Sequence, residues 1–392
     1  MEGNTHASIK QKTLLPYVYL ANILLSIHFF LIIYINSTSL ERFFTEGQVG
    51  ILFIIGAVIG VLLFLSAPSM INRFGLYKYL FSVIALECIA VLGLADAESA
   101  LSVAFYFLLH SSLVPMILFC LDIFLEKETP VEADTGKIRS IFLTITNSIL
   151  VISPAITGFI LKQYSFESLY FISALFCIPL LLIARIKFSN NDTKMSETHI
   201  FTSLKKAFEN KDVKNVVIAQ FILQFFFAWM VIYLPLYLIK DVGFGWQELG
   251  LLFTVMLIPF AVFEIPVGFL ADKKYGEKEF MLAGFIIMAV ASSLIPFVKV
   301  PVFVTWATLL FCSRIGASFS EITSESYFFK HVNASNSDSI SIFRMTRPFA
   351  YVCAPIIATV TLTFLSLGAS FWVLGIVTFF GSVAAFNITD TK

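Results

Sequence analysis

The chain has 392 residues, 58% of them hydrophobic and 13% charged, about half the ~25% charge usual in soluble domains. That composition excludes an ordinary water-soluble enzyme. The 26 basic and 26 acidic side chains cancel, which removes the electrostatic footprint that a nucleic-acid partner requires.

Residues 1–13 form a polar segment with Lys10 and Lys12 and no small-residue cleavage pattern, so removal of a leader is not expected. Apolar runs broken by charge, Gly or Pro then give six spans, roughly 14–34, 49–67, 80–95, 101–121, 140–161 and 168–186. Each matches the ~20 residues of a membrane-crossing helix. A polar stretch, 187–215, with Lys194, Lys205, Lys206, Lys211 and Lys214, reads as a linker. Six more spans follow, roughly 216–239, 249–271, 280–298, 302–322, 341–365 and 371–388, before a short tail, 389–392. The expected domains are therefore a bundle over 14–186 and a bundle over 216–388.

Lys and Arg set the orientation. With the N-terminus inside, only Arg42, Lys162, Lys240 and Lys299 fall outside, while Arg314 and Arg347 lie in or at the edge of spans. Both termini are then cytoplasmic, and a multi-pass protein of the plasma membrane, the bacterial inner membrane, is expected.

A repeat joins the halves. Ser140, Ile141, Phe142, Val151 and Pro154 recur as Ser341, Ile342, Phe343, Val352 and Pro355, and Asp122, Ile123 and Glu126 align with Glu321, Ile322 and Glu325. Six crossings separate the copies, so both halves enter the membrane the same way round. The fold class is an all-α integral membrane protein of twelve transmembrane helices, two six-helix bundles forming a parallel pseudo-two-fold repeat.

The most specific motif runs from Gly268 through Leu270, Ala271, Asp272 and Lys273 to Gly276, after the eighth span. Here the sequence resembles the major facilitator superfamily, whose Gly-x-Leu-Ala-Asp-Arg/Lys-x-Gly signature joins helices 2 and 3 and is often echoed between 8 and 9. The first-half copy keeps Arg73 and Gly75 but has Pro68 and Asn72 where Gly and Asp are expected. The resemblance implies a gating role for Gly268, Asp272, Lys273, Gly276 and Arg73: a carboxylate at one helix end facing the positive N-terminus of its neighbour in one transport state only.

Charges within spans must be paired or face water. The tenth span places Arg314, Ser318, Glu321 and Glu325 within about 60° on one face, and Arg344 and Arg347 open the eleventh. Asp122, Glu126 and Arg139 repeat the arrangement between the fourth and fifth spans. Both sets read as ion-pair clusters. Glu87 and Glu264 are intramembrane acids without acidic counterparts in the other half, and either can carry a coupling proton.

The superfamily lines its central cavity mainly with helices 1, 4, 7 and 10. The resemblance therefore gives weight to Asn22 and Ser26, His110, Gln220, Gln224, Trp229 and Tyr233, and Trp306 and Arg314 as substrate-cavity residues; His28 belongs to the same polar set. Gln220 and Gln224 share one helix face, and neither is cheap to expose to lipid.

There is no phosphate-binding loop, no Gly-x-Ser-x-Gly elbow and no His-Glu-x-x-His. The five cysteines lie in apolar runs without ligand spacing, so no enzyme chemistry, no cofactor and no metal are expected. The reading is a monomeric secondary active transporter that moves a small organic solute by alternating access, coupled to protons. Drug or metabolite efflux is favoured over sugar or nutrient uptake, although the fifth span keeps Pro154 and Gly158 without most glycines of the exporter motif. The alternative is a transporter-like membrane receptor or sensor that binds ligand without moving it.

Overall fold

The computed structural model describes residues 14–128, 132–189, 209–331 and 337–389, and among the described residues there are helices and turns but no strand. Twelve long helices carry the architecture. In the first half these are α1 (Leu15–Ile32), α2 (Glu46–Phe74), α3 (Leu76–Asp96), α4 (Ala100–Lys127), α5 (Glu132–Gln163) and α6 (Phe166–Ile183). In the second they are α7 (Lys211–Tyr237), α8 (Trp246–Leu270), α9 (Glu277–Leu294), α10 (Phe303–His331), α11 (Ser337–Leu362) and α12 (Leu367–Phe386). The ends differ from the sequence expectation mainly where polar residues continue a helix beyond its apolar run. Thus α10 extends to His331 rather than Ile322, because Glu321, Ser324 and Ser326 hydrogen-bond or solvate without breaking the ladder.

Eleven of the twelve are long and apolar enough to cross a membrane. The exception is α10, whose apolar run is interrupted by Arg314 and several serines. Lipid is the solvent that explains the surface: Leu101, Ile265 and Phe364 are each more than 80% exposed, which would be costly in water. It also explains why Pro115, Pro154, Pro259 and Pro355 sit inside helices, since neighbouring spans can satisfy the freed carbonyls.

A short helix, Asn36–Glu41, follows α1 and buries Asn36, Ser37, Thr38 and Ser39. The apolar-run criterion passes over it because its residues are polar. Five-residue π-helical turns extend α6, α7 and α8, over Ala184–Phe188, Leu238–Val242 and Ala271–Tyr275.

The chain divides into two compact units, Met1–Phe43 with Ile55–Glu197, and Phe44–Ile54 with Thr198–Lys392. In the first, α1 packs on α4, α5 and α6, while α3 packs on α4 and α6. In the second, α7 packs on α10, α11 and α12, while α9 packs on α10 and α12. The same pairing scheme recurs six helices later, which is the duplicated unit that the sequence repeat implies. Val18, Leu25, Leu80, Ile117 and Phe124 centre the first core, where Phe124 stacks on Phe188 at 4.5 Å. In the second, α9 and α10 cross at Gly284 and Gly316 so closely that a Cβ on either would lie 2.5 Å from the other's carbonyl oxygen.

Candidate functional site

Polar side chains within the spans fall into separate groups, and their partners distinguish fasteners from groups with unused capacity. Asn22 on α1 is a fastener. Its Nδ2 donates to the Phe142 carbonyl and to Thr146 Oγ1, both at 3.0 Å, and Ser26 Oγ donates weakly to its Oδ1 at 3.4 Å. The amide therefore ties α1 to α5. Thr157 Oγ1 repeats the tie by donating to the Leu31 carbonyl at 2.7 Å.

Near the middle of the first unit, Glu87 on α3 stands between two imidazoles. His28 Nε2 on α1 lies 3.0 Å and His110 Nδ1 on α4 lies 2.5 Å from the same oxygen, Glu87 Oε1. All three side chains are almost completely buried, and the rings meet edge to face at 6.2 Å. Asn36 Nδ2 reaches His110 Nε2 at 3.3 Å, and the Tyr170 hydroxyl donates to Asn36 Oδ1 at 3.0 Å. On the other side, His28 Nδ1 faces the Ser173 carbonyl at 3.1 Å and Ser173 Oγ at 2.8 Å. Sequence reasoning named Glu87, His110 and His28 individually but gave no means of joining them, since their contacts span 23 to 59 residues of chain. Asn36, Tyr170 and Ser173 were missed.

In the second unit, Ser324 Oγ on α10 donates to Gln220 Oε1 on α7 at 2.8 Å, and Gln224, one turn along, is also buried. Arg314 is 1% exposed, and its guanidinium lies over the Phe226 and Phe227 rings at 4.9 and 5.7 Å; cation–π attraction is stronger at such a desolvated site than at the surface. Glu321 stands within electrostatic reach of Glu264, Glu325, Arg347 and Arg314, so residues named separately from α8, α10 and α11 converge.

Trp229 and Tyr233 continue the α7 face, with Phe225, Trp229 and Tyr233 in successive ring contacts at 5.7 and 5.5 Å. Among the described residues Trp229 Nε1 is buried without a hydrogen-bond partner, a state that calls for explanation in a native structure. Trp306 differs: its Nε1 donates to the Val300 carbonyl at 3.0 Å and its ring packs on Tyr237 and Phe244, so its polar capacity is spent.

The loop motifs have a definite backbone basis. Gly75 (φ 89°, ψ 146°) and Gly276 (φ 84°, ψ 163°) start α3 and α9 in a conformation that is essentially glycine's alone. Gly268 is less constrained, since a Cβ there would meet Ile322 Cγ1 at an ordinary 3.4 Å. Arg73 and Lys273 are exposed, each over a neighbouring ring, Phe74 at 5.2 Å and Phe269 at 4.3 Å. Asp122 is exposed. The side chains of Glu126, Arg139, Asp272 and Arg344 lie outside the described residues, as do residues 190–208 of the expected linker. Glu277, not singled out in the sequence, is fully buried at the start of α9, where it pairs with Lys330 and accepts from Ser326 Oγ at 3.0 Å, joining α9 to the end of α10.

The family model described as Major Facilitator Superfamily matches residues 18–247 and 216–392. The chain belongs to that superfamily and is a multi-pass membrane protein of the secondary-transporter class. No curated protein matches the sequence. Among solved structures, the crystal structure of nucleoside transporter NupG is similar, with a TM-score of 0.70 over 95% of this chain and 97% of that one. At 15% identity, that likeness is one of fold.

Proposed function

We propose that the chain takes up a polar, ring-bearing solute of nucleoside type by proton-coupled alternating access. The observation that carries the reading is the buried, unpartnered Trp229 Nε1, set among aromatic rings on the same helix as Gln220 and Gln224. An indole donor left unmade inside a span costs about 1–3 kcal/mol; an acceptor on a bound solute offsets that cost, and a flat heterocycle suits the adjoining rings. The fold shared with a nucleoside transporter supports the solute class, and the direction proposed is uptake rather than efflux. The sparse glycines around Pro154 and Gly158 agree with that direction.

In this reading the Lys and Arg bias puts both termini in the cytoplasm of a bacterial cell, and bundles 14–186 and 216–388 form the moving halves. Asn22, Ser26 and Trp306, spent in internal contacts, hold the scaffold. Gln220, Gln224, Trp229, Tyr233 and Arg314 meet the solute. The Gly268–Gly276 loop with Asp272 and Lys273, its partner at Arg73, and the clusters of Asp122, Glu126 and Arg139 and of Glu321, Glu325, Arg344 and Arg347 act as gates.

Counterflow of labelled uridine in proteoliposomes tests this. Wild type exchanges uridine, and Trp229→Phe, which keeps the ring and removes the donor, raises KM about 3- to 10-fold, the worth of one hydrogen bond. Absence of counterflow across a purine and pyrimidine nucleoside panel overturns the solute class. Ligand-induced thermal stabilisation without counterflow favours the receptor reading.

A further inference from the structure

The hydrogen-bond inventory of the first unit fixes more than the positions of three side chains. A main-chain carbonyl only accepts, so while Ser173 Oγ gives its hydrogen to the His28 carbonyl, the Ser173 carbonyl 3.1 Å from His28 Nδ1 places a hydrogen on that nitrogen. A neutral imidazole has then used its one N–H. The 3.0 Å contact between His28 Nε2 and Glu87 Oε1 therefore needs a further hydrogen, on either atom. His110 cannot supply it. With the Asn36 amide placed so that its Oδ1 accepts from the Tyr170 hydroxyl, His110 Nε2 accepts from Asn36 Nδ2, and the single hydrogen of His110 is on Nδ1, pointing at Oε1 from 2.5 Å.

The other carboxyl oxygen agrees independently. Among the described residues Glu87 Oε2 is buried with no hydrogen-bond partner, tolerable for the carbonyl of a neutral acid or for a carboxylate beside an imidazolium, and costly for an isolated carboxylate. Glu87 hydrogen-bonds to His28 and His110 among the described residues. Among the described residues, Cys88 on α3 and Cys177 and Tyr170 on α6 are the other titratable groups facing the cluster, and none of them brings a positive charge.

We propose that His28 and Glu87 form the site of the coupling proton, held between Nε2 and Oε1, with His110 and Ser173 as positioning residues. This rests on the reading of the chain as a proton-coupled transporter. Loaded, the cluster has no net charge. On release, one proton leaves for water, and the remaining imidazole hydrogen sits on Nε2, facing the Glu87 carboxylate. Nδ1 then becomes an acceptor. Ser173 Oγ, 2.8 Å from both His28 Nδ1 and the His28 carbonyl, turns its hydrogen from the carbonyl to the nitrogen. The unloaded cluster is a buried anion, which biases the unit toward a state that lets water reach it.

The three donor atoms also lie within 4.8 Å of one another, a set that resembles a two-histidine, one-carboxylate metal site. The partner of His110 opposes that use: a ligating His110 would have to donate through Nε2 to an acceptor, where Asn36 presents its NH2.

The test has two parts on the full-length protein. In proteoliposomes, wild type accumulates uridine when the outside is made acidic. Glu87→Gln, neutral and isosteric with the loaded acid, still catalyses counterflow but loses accumulation. Ser173→Ala removes the donor required by the unloaded form and shifts the pH midpoint of transport upward. Glu87→Gln accumulating like wild type, or losing counterflow to the same extent as accumulation, overturns the site. Wild type that exchanges but never accumulates overturns the proton-coupled reading instead. Nitrogen-15 NMR of histidine-labelled protein, assigned with His28→Asn, reads the site without transport: a His28 Nδ1 that stays unprotonated from pH 6 to 9 overturns the proposal. So does stoichiometric Zn²⁺ binding that Glu87→Gln abolishes.

Discussion

At single positions, the backbone explains what the loop motif preserves. Gly276 at φ 84° and ψ 163° occupies a region closed to residues with a Cβ, so Gly276→Ala costs about 1–3 kcal/mol, seen as a lower Tm and a reduced folded yield in detergent. Gly75 carries the same requirement at the start of α3, which is why this glycine survives in a copy whose Gly and Asp positions hold Pro68 and Asn72. The motif glycines were legible in the sequence because a positive φ forces the residue type; Asn22 could not be read as a fastener because its partners, Phe142 and Thr146, are 120 and 124 residues away. Glu128, just beyond α4, gives a pH test. Burial pushes its carboxyl up from 4.5 to about 7, against the smaller opposite pull of Lys127, and its Oε2 has no hydrogen-bond partner among the described residues. A folded value above the unfolded one means that the fold favours the protonated form. The cost of Glu128 is therefore absent below about pH 4.5, grows between 4.5 and 7, and is complete above 7. Glu128→Gln should raise Tm at pH 8 relative to wild type and leave the difference near zero at pH 4; a pH-independent difference would show that the carboxyl is not responsible.

Among whole elements, the twelve runs were readable because a bilayer imposes length and apolarity together. The same criterion is weakest where function puts polar groups into a span, which is why α10, with Arg314 and its serines, falls below the hydropathy of the other eleven. It is blind to Asn36–Glu41, whose polar side chains are buried against protein rather than presented to lipid. Helix crossings are likewise invisible in an apolar pattern, since Gly284 and Gly316 look like any small residues. In space each glycine meets the other's carbonyl, so the backbones themselves are in contact and neither can yield by a rotamer change. Gly316→Ala should destabilise the second unit by about 1–3 kcal/mol, the cost of overpacking a close crossing. Gly268→Ala is the internal control, because its added carbon meets side-chain rather than backbone atoms, Ile322 Cγ1 at 3.4 Å and Cδ1 at 4.0 Å; equal losses of Tm in the two variants would refute the crossing as the cause.

Over the whole chain, the duplication was legible as aligned residues near a 200-residue offset, and it returns as a shared pairing scheme: α1 with α4, α5 and α6 against α7 with α10, α11 and α12. What the offset could not reveal is that the compact units do not follow the order of the chain. Residues 44–54 belong with the second unit although the remainder of α2 belongs with the first. Two contacts show the physical reason. Glu46 Oε1 pairs with Lys240 Nζ at 2.7 Å, worth little for so exposed a pair, whereas Gly50 sits so tightly that a Cβ would come within 2.4 Å of Thr359 Oγ1 and 2.8 Å of the Tyr233 hydroxyl. A cut at 197/198 therefore separates the second unit from one of its own packing surfaces. Fragment 198–392 expressed alone should aggregate or melt well below its value when co-expressed with 1–197, and Gly50→Leu in the first fragment should remove much of that rescue, while Glu46→Gln should remove little. A fragment 198–392 that is monodisperse alone, with the Tm of the co-expressed pair, would mean that residues 44–54 add nothing to the second unit and that its stability resides entirely in α7 to α12.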